Sequence, residues 1–131
     1  MKKSIHTQGK RKRAIARATI NPGKGKVKIN GEALENYSTE LLRLKVKEPL
    51  ILADNIAKKV DISVNVNGGG VNGQADAIRL AIARGLVVYD ESLKKTFTEY
   101  DRLLLVADIR RKEVCKPNDS KARAKRQKSY R

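Results

Sequence analysis

The sequence contains no tryptophan, one phenylalanine (Phe97) and four tyrosines in 131 residues. A core must therefore be assembled mainly from Ala, Val, Ile and Leu. The single cysteine, Cys115, excludes a disulfide framework and a multi-cysteine metal site. The single histidine, His6, lies in a basic arm. No Ser/His/Asp set and no His/Cys metal cluster can be built from the remaining residues. Asp101 and Asp108 flank an apolar run, but acids near element ends are common, so no enzyme activity, metal or cofactor is expected. No apolar run approaches the ~20 residues needed to span a bilayer. No signal-like apolar stretch follows the basic start, which points to the cytoplasm. The length suits one domain with a single modest core.

Acid is missing from one end and scarce at the other. Residues 1–31 hold ten Lys/Arg and no Asp/Glu. Residues 32–108 hold ten Lys/Arg and twelve Asp/Glu, while residues 109–131 hold ten Lys/Arg and two acids. The formal charge of +16 therefore sits at the two ends. A near-neutral body with two basic arms suits a polyanion partner. Lys121–Arg131 lacks Leu, Ile, Phe and Trp, so it cannot form the bulky apolar face of a membrane-surface helix. RNA and DNA remain.

Residues 1–12 are polar and show no periodicity. From Arg13, Ala14, Ala16, Ala18 and Ile20 alternate with Ile15, Arg17 and Thr19, which predicts a strand. Asn21-Pro22-Gly23-Lys24-Gly25 reads as a loop of about five residues, leading into a second strand over Lys26–Asn30 and closing a hairpin. Asn30-Gly31 is a further turn signal. Ser38 suits the N-cap of a short helix through Leu41, Leu42 and Leu44. Pro49 suits the first turn of a second helix with Leu50, Ile51, Leu52 and Ile56. Val60, Ile62, Val64 and Val66 alternate with polar residues, predicting a sheet with one buried and one wet side. After Gly68-Gly69-Gly70, a helix slim with alanine is predicted from Asn72 to about Tyr89, and another over Leu93–Tyr100. Leu103–Val106 fits either strand or helix. Lys116–Arg131 has no apolar periodicity and should be extended or disordered in isolation.

Gly68, Gly70 and Gly73 have the G-x-G-x-x-G spacing, with Asp90 or Glu91 near the distance of a dinucleotide-binding acid. No strand–helix alternation surrounds them. A P-loop would need Lys and Ser/Thr where Gln74 and Ala75 stand. The glycines either permit tight turning and close helix approach, or place backbone N–H groups near an RNA phosphate. The arms carry the stronger signal. Lys10-Arg11-Lys12-Arg13, with Arg17 beyond, and Lys121, Arg123, Lys125, Arg126, Lys128 and Arg131 suit chains laid along a phosphate backbone. A solvated tail or a localisation signal is the plainer alternative for one such run.

Three segments together resemble the universal small-subunit ribosomal protein number nine family. They are Thr7–Ala18 (TQGKRKRAIARA), Gly68–Leu86 with its glycines, Gln74, Arg79 and Arg84, and the terminal Gln127-Lys128-Ser129-Tyr130-Arg131. The terminal segment is similar to the archaeal and eukaryotic branch. The stretch 116–120 departs from the more Gly-rich family pattern. The resemblance implies an α+β body, residues 1–109, with a four-stranded sheet, helices packed on it and a left-handed β-α-β crossover. An extended basic tail, residues 110–131, follows. It implies a structural, non-enzymatic place in the head of the small subunit beside neighbouring head proteins, with no small-molecule substrate. The candidate contacts to ribosomal RNA are Lys10, Arg11, Lys12, Arg13, Arg17, Gly69, Gly70, Arg79, Arg110, Arg111, Arg123, Lys125 and Arg126. Lys128 and Arg131 are the candidate contacts to transfer RNA in the peptidyl site. Arg79, near the glycine loop, is expected to face RNA and Arg84 to face elsewhere. Two rivals stand beside this reading: a free RNA- or DNA-associated factor, and a small phosphotransferase of related fold, which would need a Ser-rich glycine loop absent here.

Overall fold

The computed structural model describes residues 3–115, together with Pro117 and Ala122. The fold is α+β, with one sheet and helices on one of its faces. The chain opens with a strand that periodicity did not reveal. β1 (Ile5–Arg11) pairs antiparallel with β2 (Ala14–Pro22), joined by the tight turn Lys12-Arg13, where Lys12 has φ 55°. The inward positions of β1 are Ile5, Thr7, Gly9 and Arg11, of which only Ile5 is a bulky apolar residue. Thr7 donates its hydroxyl to the Ala81 carbonyl at 2.8 Å. Gly9 is buried where a helix presses on the strand.

β3 (Val27–Ile29) was expected to close a hairpin with β2, and it does not. β5 (Val60–Asn67) lies between them, antiparallel to β2 and parallel to β3. The physical reason is Asp61. Its carboxylate accepts the backbone N–H groups of Lys24 at 2.9 Å and Lys26 at 3.0 Å. The Gly23 N–H reaches the Lys59 carbonyl at 3.0 Å. These bonds fold the Asn21–Lys26 loop around the start of β5, which carries β3 to the far side of that strand. A two-residue edge strand, β4 (Glu32–Ala33), makes the order β1-β2-β5-β3-β4 and the sheet five-stranded rather than four-stranded.

α1 (Glu40–Leu52) is one helix rather than two, with Pro49 inside it. The missing N–H costs one bond to the preceding turn, while the buried ring packs into the core. Ser38, at φ 32°, precedes the N-cap, which is Thr39. α2 (Asp54–Ala57) then leads into β5, so the parallel pair β3 and β5 is bridged by helices. α3 (Val71–Tyr89) and α4 (Leu93–Tyr100) match the sequence expectation closely. The undecided run after α4 is a 3-10 turn, Arg102–Leu104, and Asp101 caps it by accepting the Leu103 N–H at 2.9 Å.

The core lies between the sheet and α3, with Ala14, Ala16, Ala18, Val60, Ile62, Val64, Ile78, Ile82 and Leu86 all buried. Phe97 and Leu104 close one end. A buried aliphatic or aromatic side chain contributes about 1.5–3 kcal/mol. The many alanines add little each, but they bring backbone against backbone. A Cβ at Gly9 would stand 2.1 Å from the Ala77 carbonyl oxygen and 2.7 Å from the Ala81 nitrogen.

Gly9→Ala should therefore force the helix off the strand and cost about 1–3 kcal/mol or more. Gly31→Ala meets open space and only an unfavourable φ of +84°, worth about 1 kcal/mol. Urea unfolding should rank Gly9→Ala as the worse. The reverse order would contradict the close packing of α3 on β1.

Candidate nucleic-acid interface

The register Arg11↔Ala14 leaves Lys12 and Arg13 alone at the hairpin tip, both exposed. β5 ends beside that tip. A Cβ at Gly68 (φ +77°) would lie 2.7 Å from the Arg13 carbonyl oxygen. One at Gly69 (φ +67°) would lie 3.0 Å from the Ala14 nitrogen. These two glycines serve close approach and left-handed turning. Gly70 has open space above it and is the N-cap of α3, whose first turn carries no acid. Gln74 fastens the loop by donating its side-chain amide to the Gly68 carbonyl at 3.0 Å. Lys12, Arg13, Gly69 and Gly70 border a groove of about 700 Å³, whose other wall is the segment 111–115. The N-terminal arm, the glycine loop and the root of the basic tail thus meet at one place.

A second group of cations is committed to carboxylates, and it includes the sequence-predicted Arg11 and Arg110. Arg11 stands 3.5 Å from Asp108 and 3.9 Å from Asp76, and donates to the Arg110 carbonyl at 2.9 Å. Lys45 reaches Asp76 at 3.2 Å. Arg110 forks onto Asp108 at 2.7–3.0 Å. The Arg110 side chain and its backbone N–H, then the Arg11 charge, hold the Asp108 carboxyl well below the ordinary carboxylate range. Asp101 is also lowered, first by the Leu103 N–H and then by Arg79.

Arg79 lies between Glu48 and Asp101, bonded to the latter at 3.0 Å, and its side chain is only 13% exposed. Its Nε is buried without a hydrogen-bond partner among the described residues. Arg84 donates to the Leu105 and Gln8 carbonyls, both at 3.1 Å. Both arginines of α3 are thus held by intramolecular partners. Arg84 joins β1 to the segment after α4, a task no spacing rule in the sequence signalled.

The remaining candidates point outward. Lys10, Lys12, Arg13, Arg17 and Arg111 are exposed, and none has an ion-pair partner among the described residues. Arg123, Lys125, Arg126, Lys128 and Arg131 lie outside the described residues. No group of His, Cys, Asp or Glu among the described residues could hold a metal ion. No helix there is long and apolar enough to cross a membrane.

Fold and surface define a small basic α+β protein, built on a single sheet, with exposed cations at the hairpin tip and along the sheet. Residues 9–131 match the family described as ribosomal protein S9/S16. Small ribosomal subunit protein uS9 of Pyrobaculum aerophilum is 55% identical over 125 residues, covering 94% of this chain and 88% of that relative. The uS9 of Thermoplasma volcanium is 54% identical over 129 residues, covering 97% and 98%. That of Methanothrix thermoacetophila is 50% identical over 131 residues, covering 98% and 99%. The chain belongs to the ribosomal protein S9/S16 family. It is a structural constituent of the ribosome and not an enzyme. These relatives are archaeal, in keeping with the branch that the terminal segment resembles.

The lowered Asp108 and Asp101 carboxyls give a pH signature. A depressed folded pKa stabilises above the unfolded value of about 3.9, and that stability is lost as pH falls through the folded value. Asp108→Asn should lower the urea midpoint at pH 7. The gap to the wild type should narrow steadily below pH 4. A gap of constant size down to pH 2 would show that Asp108 acts by packing and not by its charge.

Proposed function

We propose that the chain is a constituent of the small ribosomal subunit, in its head, where residues 1–109 form an RNA-binding body and residues 110–131 a basic tail. The observation that carries this reading is the meeting of Lys12, Arg13, Gly69, Gly70 and the 111–115 segment around one groove. Unpaired cations around a concave backbone surface suit phosphate oxygens. Such contacts position a protein without reading bases, and they weaken with salt as counterions return. RNA shape is then what is recognised.

On this reading Lys10, Lys12, Arg13, Arg17 and Arg111 make phosphate contacts. Arg110, whose side chain is 77% exposed, keeps donors for a phosphate beside Asp108. Arg11 and Arg79 contribute by bracing the body, Arg11 at Asp108 and Asp76 and Arg79 between Glu48 and Asp101, because their charges are already met by carboxylates. Arg123, Lys125 and Arg126 extend the contact along the tail. Neighbouring head proteins complete the set of partners. The double substitution Lys12→Gln/Arg13→Gln should weaken binding to small-subunit ribosomal RNA. It should also reduce the log–log salt slope by about 1.4–1.8, at roughly 0.7–0.9 per phosphate lost. Filter binding across a salt series measures both. An unchanged slope would remove the groove from the interface.

The tail supports a second contact. The family match runs to Arg131, and eleven residues from Lys121, if extended, reach roughly 35–40 Å. Lys128 and Arg131 then meet transfer RNA in the peptidyl site, away from the RNA that anchors the body. The terminal carboxylate beside Arg131 offsets part of its charge, so the contact is a local hydrogen-bonded one. Deleting residues Lys128–Arg131 should leave assembly intact and weaken peptidyl-site transfer-RNA binding about tenfold, equivalent to ~1.4 kcal/mol. The measurement is filter binding of transfer RNA to reconstituted subunits. Equal affinity with and without these residues would rule out the transfer-RNA role alone.

A further inference from the structure

The helices cover one face of the sheet, and the other face is open among the described residues. Strand register places its side chains in rows. His6, Thr19, Ser63 and Lys28 form one row across β1, β2, β5 and β3. Gln8, Arg17 and Asn65 form the next, and Lys10, Ile15 and Asn67 the one nearest the hairpin tip. The cations therefore lie on a diagonal. Lys10 is on β1, Arg17 one strand over and one row down, and Lys28 two strands further and one row lower again. Strands about 4.8 Å apart and two-residue steps of about 6.7 Å put the Cα atoms roughly 8 Å and then roughly 12 Å apart.

Three further features favour a polyanion on this face. Lys10, Arg17 and Lys28 are exposed and have no ion-pair partner among the described residues. Besides His6 and Ile15, the flanking side chains are amides and hydroxyls, which can both donate and accept. The one carboxylate on the face, Asp61, sits beyond the Lys28 row and is committed to the Lys24 and Lys26 N–H groups. The upper end of the diagonal, at Lys10, adjoins Lys12 and Arg13 and hence the groove.

We propose that the RNA bound at the groove continues across the open face of the sheet, along the diagonal Lys10–Arg17–Lys28. The cations take successive phosphates, and Gln8, Ser63 and Asn65 bond ribose hydroxyls and phosphate oxygens. Among the described residues this face carries no Phe or Tyr, and His6 is its one aromatic ring, so it lacks the paired aromatic platform of sheet-borne single-strand readers. This path rests on the ribosomal-RNA reading, which already gives Lys10 and Arg17 phosphate contacts, and extends it across the sheet to Lys28 and to the polar side chains of Gln8, Ser63 and Asn65.

The test uses the full chain and a transcript of small-subunit ribosomal RNA, in filter binding over a salt series. Arg17→Gln/Lys28→Gln is compared with Lys12→Gln/Arg13→Gln and with the charge-keeping Arg17→Lys. All are solvent-facing changes, and an unaltered urea midpoint checks the fold. The face variant should bind about tenfold more weakly near 0.1 M salt, with the slope reduced by about 1.4–1.8. Arg17→Lys should retain the wild-type slope. Wild-type affinity and slope in the face variant, with the groove variant weakened, would overturn the sheet path and leave the groove standing. Wild-type binding by both variants would overturn the ribosomal-RNA reading as well. Unchanged RNA affinity with impaired incorporation into subunits would assign the face to a protein neighbour and likewise overturn the path.

Discussion

The nearness of α3 to the β1–β2 hairpin is the constraint on which the other arrangements depend. Gly9 lets the Ala77 and Ala81 backbone sit against the strand, and Gly85 makes room for Ile20 in the same way. Thr7 adds a side-chain bond to the Ala81 carbonyl. With α3 this close, its N-terminus arrives beside the hairpin tip, and Gly68 and Gly69 can turn against Arg13 and Ala14. A larger residue at Gly9 would raise the helix and separate the glycine loop from Lys12 and Arg13. Core packing and groove geometry are one problem here, solved by small residues in place of a large aromatic core.

Charge is sorted by the same scaffold into two layers. Arg11, Arg79 and Arg84 point toward carboxylates or carbonyls and fasten the segment after α4 to β1 and α3. That fastening turns residues 111–115 into the second wall of the groove. Lys10, Lys12, Arg13, Arg17 and Arg111 remain outside it. A partly enclosed ion pair satisfies its own members and leaves little charge for a partner, whereas exposed unpaired cations are free to displace the counterions condensed on a nucleic acid. The basic arms are therefore structural at their roots and available to ligand beyond them.

The loop around Asp61 shows how one carboxylate can redirect topology. Alternation in Val27–Ile29 and a glycine-rich turn before it favour a local hairpin. Two backbone N–H groups on one Asp61 oxygen favour a crossing over the start of β5 instead. The crossing buries Ile29 and half-buries Val27, paired with Val64 and Ile62 of β5. It also sets Lys28 on the open face, in line with Arg17 and Lys10.

The amino-acid sequence by itself determined the charge partition, the absence of catalytic and metal-binding sets, β2, β5, α3 and α4, and the family resemblance. Each of these is local or compositional: period-2 alternation, four-residue apolar spacing, or runs of cations. β1 was hidden because only Ile5 of its inward positions is apolar, while Thr7 and Gly9 are suited to contact with a helix some seventy residues away and not to hydrophobic alternation. The unbroken α1 was hidden because an interior proline costs a helix one bond and a clash with the preceding turn, a local penalty that packing around the buried Pro49 offsets. Tertiary structure alone decided which cations face inward. Arg79 and Arg84 look equivalent to Arg17 in the sequence until Glu48, Asp101 and the carbonyls of Gln8 and Leu105 are brought within reach. Strand order, the shared groove and the diagonal on the open face depend likewise on pairings between distant segments, which no local pattern encodes.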